Sequence, residues 1–174
     1  MSLGRFGAPR DVVSRSIHSE ILRRGVTNVR MLRADAVEFL RWRCPDAIIS
    51  VIHLYFSDPW PKKKHHKNRV VQHGFLAEAY RVLKPGGELR VVTDHDELWA
   101  WDEDHFALWT RPGANTQVPE WITRGLPADA APFAREPFTP PEWVGEGQLI
   151  GTNYERKMCV GKPAHACVLR KQSR

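Results

Sequence analysis

Ala47-Ile48-Ile49-Ser50-Val51-Ile52-His53-Leu54-Tyr55-Phe56, running into Ser57-Asp58-Pro59-Trp60-Pro61-Lys62-Lys63-Lys64-His65-His66-Lys67, decides how the chain is read. Eight of the first ten residues are apolar or aromatic and do not alternate with polar ones. A short unbroken run of this kind predicts a strand buried on both faces, as in a parallel sheet. Pro59 and Pro61 end it, since neither has an N–H to give a ladder. The chain therefore leaves a strand and at once presents a carboxylate, an indole and a cluster of cations. In open α/β sheets, ligands sit beyond the carboxyl ends of the strands.

Outward from this stretch, the pattern alternates helices and strands. Toward the N-terminus, Asp11-Val12-Val13 reads as the end of a strand and Ser14 as an N-cap for a helix over 15–24. Ile17, Ile21 and Leu22 form its apolar stripe, and Gly25 is its stop. Residues 29–34 read as a strand ending at Asp35, and 36–43 as a short helix carrying Val37, Phe39 and Leu40. Toward the C-terminus, residues 70–83 predict a helix with Val71, Phe75, Ala79 and Val82 inward. Lys84-Pro85-Gly86-Gly87 is its expected stop. Residues 88–93 form the next strand, ending at Asp94, so the order gives a right-handed βαβ unit. Three strands thus end in or beside an acid, at Asp35, Asp58 and Asp94.

Residues 95–147 hold five tryptophans and seven prolines. A helix is expected over 96–109, and the rest reads as a long irregular segment covering the site. Residues 158–160 and 166–169 read as an antiparallel closing pair around Gly161-Lys162-Pro163. The expected class is α/β: a mostly parallel, Rossmann-like sheet with an antiparallel C-terminal strand pair, in one domain over 1–174.

The charge balance is +6, with a pI near 9.5, which suits a polyanionic partner. Lys62, Lys63, Lys64, Lys67 and Arg69 stand together without an acid. Asp94, Asp96, Glu97, Asp102, Glu103 and Asp104 stand together without Lys or Arg. No apolar run reaches the roughly 18 residues of a membrane span, and no secretory h-region is seen. Cys44, Cys159 and Cys167 have no metal-binding spacing and fit a reducing, cytoplasmic setting.

The block Phe56-Ser57-Asp58-Pro59-Trp60-Pro61-Lys62, with His65-His66-Lys67, Arg69-Val70-Val71-Gln72 and Phe75-Leu76, resembles the tRNA (guanine-N7-)-methyltransferases. These use S-adenosylmethionine (SAM). Thr27-Asn28-Val29-Arg30 leading to Asp35-Ala36, Leu83-Lys84-Pro85-Gly86-Gly87, Thr93-Asp94 and Thr152-Asn153-Tyr154-Glu155 extend the likeness. The resemblance implies a SAM methyltransferase sheet, SAM as cofactor and tRNA as partner. It implies Asp35 near the adenine of SAM and Asp58 as the catalytic-site acid beside methyl donor and guanine. Lys62, Asp94, Thr152, Asn153, Tyr154 and Glu155 would contact substrate. Lys63, Lys64, Lys67 and Arg69 read as contacts to the RNA backbone. The family's first strand and glycine-rich SAM loop have no counterpart before Asp11. A second chain completing the sheet is compatible with that, and the oligomeric state is left open.

Guanine N7 carries an in-plane lone pair and no proton, so attack on a sulfonium methyl needs alignment rather than a base. A carboxylate facing the N1–H and amino group would favour the charge that develops on the base. No metal is expected, although the acidic block with His95 and His105 is of the hard-ligand type that holds Mg²⁺. Two other readings stay open. One is a shortened relative that binds tRNA without SAM. The other is an amino-group methyltransferase, since Ser57-Asp58-Pro59-Trp60 also resembles the loop of those enzymes.

Overall fold

A computed structural model of the chain describes residues 19–113, 117–124, 126, 127, 129–158 and 164–172. It divides into two units, Met1–Asp35 and Ala36–Arg174.

In the first unit, residues 19–23 are helical. Glu20 accepts from Arg23 and Arg24 one turn on. Gly25 ends the helix as the sequence predicts, in the left-handed region at φ 64°. Its N–H donates to Leu22 O and that of Val26 to Ile21 O, the paired closure of a Schellman motif. Residues 14–18 of the expected helix, and Asp11-Val12-Val13, lie outside the described residues. The strand expected over 29–34 does not form. Val29, Met31 and Leu32 are exposed, and among the described residues no strand pairs with this segment.

The second unit runs α1 (Ala36–Arg43), β1 (Ile49–Tyr55), a 3-10 helix (Lys63–Asn68), α2 (His73–Val82), β2 (Leu83–Thr93) and α3 (Asp96–Trp109). It continues with α4 (Glu120–Thr123), β3 (Phe133–Glu136), α5 (Asn153–Met158) and β4 (His165–Lys171). The strands form one mixed sheet in the order β1-β2-β4-β3. β1 and β2 are parallel, joined by the expected crossover through α2. β4 runs antiparallel to both β2 and β3. The class is therefore α/β with a mixed sheet, as expected.

Several details differ. β1 is half-buried rather than enclosed on both faces, because it lies at an edge of the four-stranded sheet. Along β2, Leu89 and Val91 point to the core, while Glu88 and Arg90 share the other face with Arg170. That face is an ion-pair surface, with Arg170 also bridging to Glu136 at 2.7 Å.

α2 ends at Val82, just ahead of the expected stop at Lys84-Pro85-Gly86-Gly87, and those four residues form a bulge inside β2. Ile49 pairs with Leu83, but Val51 pairs with Glu88, so residues 84–87 stand opposite Ser50 alone and the register shifts by three residues. Gly86 takes φ 73° there. A Cβ on Gly87 would lie 3.0 Å from Ser50 O and 2.9 Å from Lys84 O, so only glycine lets the backbones approach.

α2 begins at His73 rather than residue 70 and presents Phe75, Ala79 and Val82 to the core as predicted. Phe106 and Trp109 of α3, Ile122 of α4, Phe133 of β3 and Leu169 of β4 complete one hydrophobic core. α3 has the predicted bounds. β3 and α4 were not expected within 110–147; their single inward residues, Phe133 and Ile122, leave no periodicity to read. Of the expected closing pair, 166–169 lies in β4, but Met158 ends a helix, and 159–163 lie outside the described residues. The antiparallel partners of β4 are β2 and β3.

Candidate functional site

β1 and β2 end side by side. Phe56 N–H donates to Val92 O at 2.8 Å, which carries the pairing one residue past β1. Asp58 and Asp94 each lie two residues beyond that bond, so two of the three predicted acids share one sheet edge. Asp35 belongs to the first unit.

The turn after β1 is tightly shaped. Phe56 at φ 51° and Trp60 at φ 44° both occupy the left-handed region, which side chains with a Cβ adopt only when neighbours hold them. Within it, Asp58 Oδ1 accepts from Trp60 N–H at 3.2 Å, a local turn of the kind Asp favours. Asp58 itself is exposed. The Trp60 indole meets His65 edge-on, with ring centroids 5.7 Å apart.

Lys62, Lys63, Lys64 and Lys67 are exposed on and just before the 3-10 helix, as a polyanion-binding collar requires. Arg69 does not belong with them. Its side chain is 1% exposed. Its Nε donates to Pro59 O at 2.9 Å and its Nη2 to Glu97 Oε1 at 3.0 Å. The guanidinium also lies 5.2 Å over the Trp101 ring. The expectation of an RNA-backbone contact at Arg69 is therefore corrected: buried, and bonded to Pro59 O and Glu97, its side chain faces the protein. The same guanidinium holds the Glu97 carboxyl below the ordinary carboxylate range.

At the second tip, Thr93 Oγ1 accepts from His95 N–H, and His95 Nδ1 accepts from Leu98 N–H, capping α3. Tyr154 of α5 reaches this edge. Its hydroxyl donates to Asp94 Oδ2 at 3.4 Å, and its ring lies 4.7 Å from that of Phe56. Phe56, Asp94 and Tyr154 thus come together.

Glu155 plays a different part. It is buried, and its carboxylate accepts from the N–H groups of Leu149, Ile150 and Gly151. Its own N–H donates to Thr152 Oγ1 at 3.1 Å. Thr152-x-x-Glu155 is capping-box spacing, and here the carboxylate ties down the turn just upstream of the helix. Asn153 Oδ1 accepts from Arg156 Nη2 within α5. Glu155 fixes the loop that presents Tyr154; its oxygens face backbone. The spacing was legible as a helix start, a signal that a reading as a substrate segment passes over.

The acidic block disperses in the fold. Asp96 meets His165 at 2.8 Å, and Glu103 pairs with Arg135. Asp102 is buried, one carboxylate oxygen has no hydrogen-bond partner, and desolvation pushes its pKa up to about 7. A cavity of about 330 Å³ lies at the other end of the strands, between Asp46, Tyr80, Arg81 and Trp121. Its cations are committed: Arg81 to Asp46 and Glu78, Lys171 to the carbonyls of Tyr80 and Leu83.

Residues 9–119 match a family model whose description reads "Putative methyltransferase". A tRNA (guanine-N(7)-)-methyltransferase of Corynebacterium diphtheriae is 35% identical over 127 residues, covering 73% of this chain and 46% of that protein. Another, of Nitrobacter hamburgensis, is 45% identical over 110 residues, covering 60% and 43%. The chain spans less than half the length of these relatives. Among solved structures, a SAM-dependent O-methyltransferase of Thermotoga maritima has a TM-score of 0.47 at 14% identity, covering 95% of this chain and 48% of that one. That likeness is too weak to bear on the assignment. On the match over 9–119, the chain belongs to the family described as putative methyltransferases.

Proposed function

We propose that the chain carries out SAM-dependent methylation of guanine N7 in tRNA. The observation that carries this reading is the shared edge: Asp58 and Asp94 at adjacent strand ends, with Tyr154 lying against Phe56 and Asp94. Two carboxylates and two aromatic rings at one edge fit both a sulfonium cation and a planar base. When bound, SAM supplies the electrophilic methyl group. Asp58 would lie beside the transferred methyl.

Asp58 would accept from the guanine N1–H and amino group, which aims N7 and favours the positive charge left on the base. Tyr154 and Phe56 would bound the base plane, and Asp94 would hold the Tyr154 hydroxyl. Lys62, Lys63, Lys64 and Lys67 would contact phosphates, an attraction that weakens with salt. N7 takes no proton away with it, so no residue is asked to act as a base.

One observation favours a second reading, tRNA binding without methyl transfer. The Glu155 carboxylate, expected on the substrate, is committed to three backbone N–H groups. The two separate in one experiment. The chain is incubated with tRNA and methyl-labelled SAM, and the nucleosides are then resolved. Label in N7-methylguanosine supports the first reading. Retention of tRNA with no labelled nucleoside supports the second, and label on an exocyclic amine rejects both.

A further inference from the structure

We propose that Arg69 is a positioning residue that sets the Asp58 turn from beneath. The inference rests on the methyl-transfer reading for its kinetic test, but its geometry stands by itself. Arg69 is the buried cation behind a turn whose two ends, Phe56 and Trp60, are both left-handed without being glycine. Such a turn keeps its shape only if the surroundings over-determine it.

The first end is held by the sheet, through Phe56 N–H to Val92 O. The second is reached by Arg69, whose Nε takes the carbonyl of Pro59, the residue between Asp58 and Trp60. The other arm of the guanidinium is fixed to Glu97 in the first turn of α3. Its flat face is set by Trp101, whose Nε1 donates to Val71 O at 2.7 Å. The backbone of Arg69 is fixed as well. Its N–H donates to His66 O, and its carbonyl accepts from Gln72 Nε2 at 2.7 Å. Arg69 is thus held through Glu97, the Trp101 ring and its own backbone, and through Pro59 O it in turn holds the Asp58 turn. A lysine offers no planar fork and cannot serve both Pro59 and Glu97 in this way.

The test uses Arg69→Lys and Arg69→Gln with three readouts. The first is amide hydrogen exchange of residues 56–62. We expect exchange there to rise at least tenfold in both variants, with α2 unchanged. Equal protection in variants and wild type overturns the proposal. This arm does not depend on methyl transfer, so it decides the matter even if the wild type proves inactive. The second is the split between kcat and KM, with a kcat loss of about 100-fold in Arg69→Gln and tRNA affinity within twofold. The third is the salt slope of tRNA binding, expected to be unchanged. Intact kcat with a flattened slope would make Arg69 a phosphate contact and overturn the proposal. If Arg69→Gln fails to fold, Arg69→Lys, which keeps the charge, carries all three readouts.

Discussion

Replacing Asp102 with Asn makes the stability of this protein less dependent on pH. Asp102 is 1% exposed in the middle of α3, and one carboxylate oxygen has no hydrogen-bond partner. Desolvation raises its pKa from 3.8 to about 7, against a smaller opposing pull from Arg69, and Glu103 adds to the rise. The folded state therefore holds this proton more tightly than the unfolded chain. The stability tied to it is complete below about pH 4 and is lost as pH rises through about 7. A shift of about three units corresponds to about 4 kcal/mol over the whole range, of which about 2–3 kcal/mol falls between about pH 5 and pH 8. Asn is neutral throughout, so that part of the dependence disappears. The assay is urea unfolding of wild type and Asp102→Asn at both pH values, read as the difference between the two proteins. Taking the difference cancels other titrating groups, such as His73, whose pKa burial lowers. Asp102→Asn should gain about 2–3 kcal/mol on wild type between the two pH values. A difference that does not change with pH would refute the reasoning.

Two further outcomes are expected. Glu155→Ala leaves the N–H groups of Leu149, Ile150 and Gly151 without their acceptor, which costs about 2–4 kcal/mol in thermal or urea unfolding. A loss under about 0.5 kcal/mol would mean that the turn does not depend on it. Changing Lys62, Lys63 and Lys64 together to Ala should reduce the salt slope of tRNA binding by about 2 units, as loss of two to three phosphate contacts requires. An unchanged slope would remove these residues from the interface.

The sequence carries the fold where a residue's partner is local or periodic. Gly25 after an apolar helix stripe, the inward residues Phe75, Ala79 and Val82 of α2 and the bounds of α3 were all readable. It fails where the decision is made elsewhere in the sheet. The run 47–56 looks enclosed, yet its burial depends on a neighbour strand, and β1 lies at an edge of the described sheet. Lys84-Pro85-Gly86-Gly87 follows the helix end as its composition indicates, but its place as a bulge inside a strand depends on the close approach to Ser50 O. At the candidate site, Asp58 and Asp94 could be placed beside each other because both follow strand ends, whereas Tyr154 came only from the family resemblance. Arg69 was not: among five cations in eight residues, nothing local tells the buried one from the exposed four. Only the Pro59 carbonyl, Glu97 and Trp101 make that distinction.

The most direct test of the account is the Asp58→Ala variant, assayed for N7-methylguanosine in tRNA beside a separate measurement of tRNA affinity. The account predicts that methyl transfer falls below detection while affinity stays within about twofold of wild type, because the lysine collar supplies the binding. Methylation at the wild-type rate, or parallel loss of binding and transfer, would contradict a role for Asp58 at the reacting base.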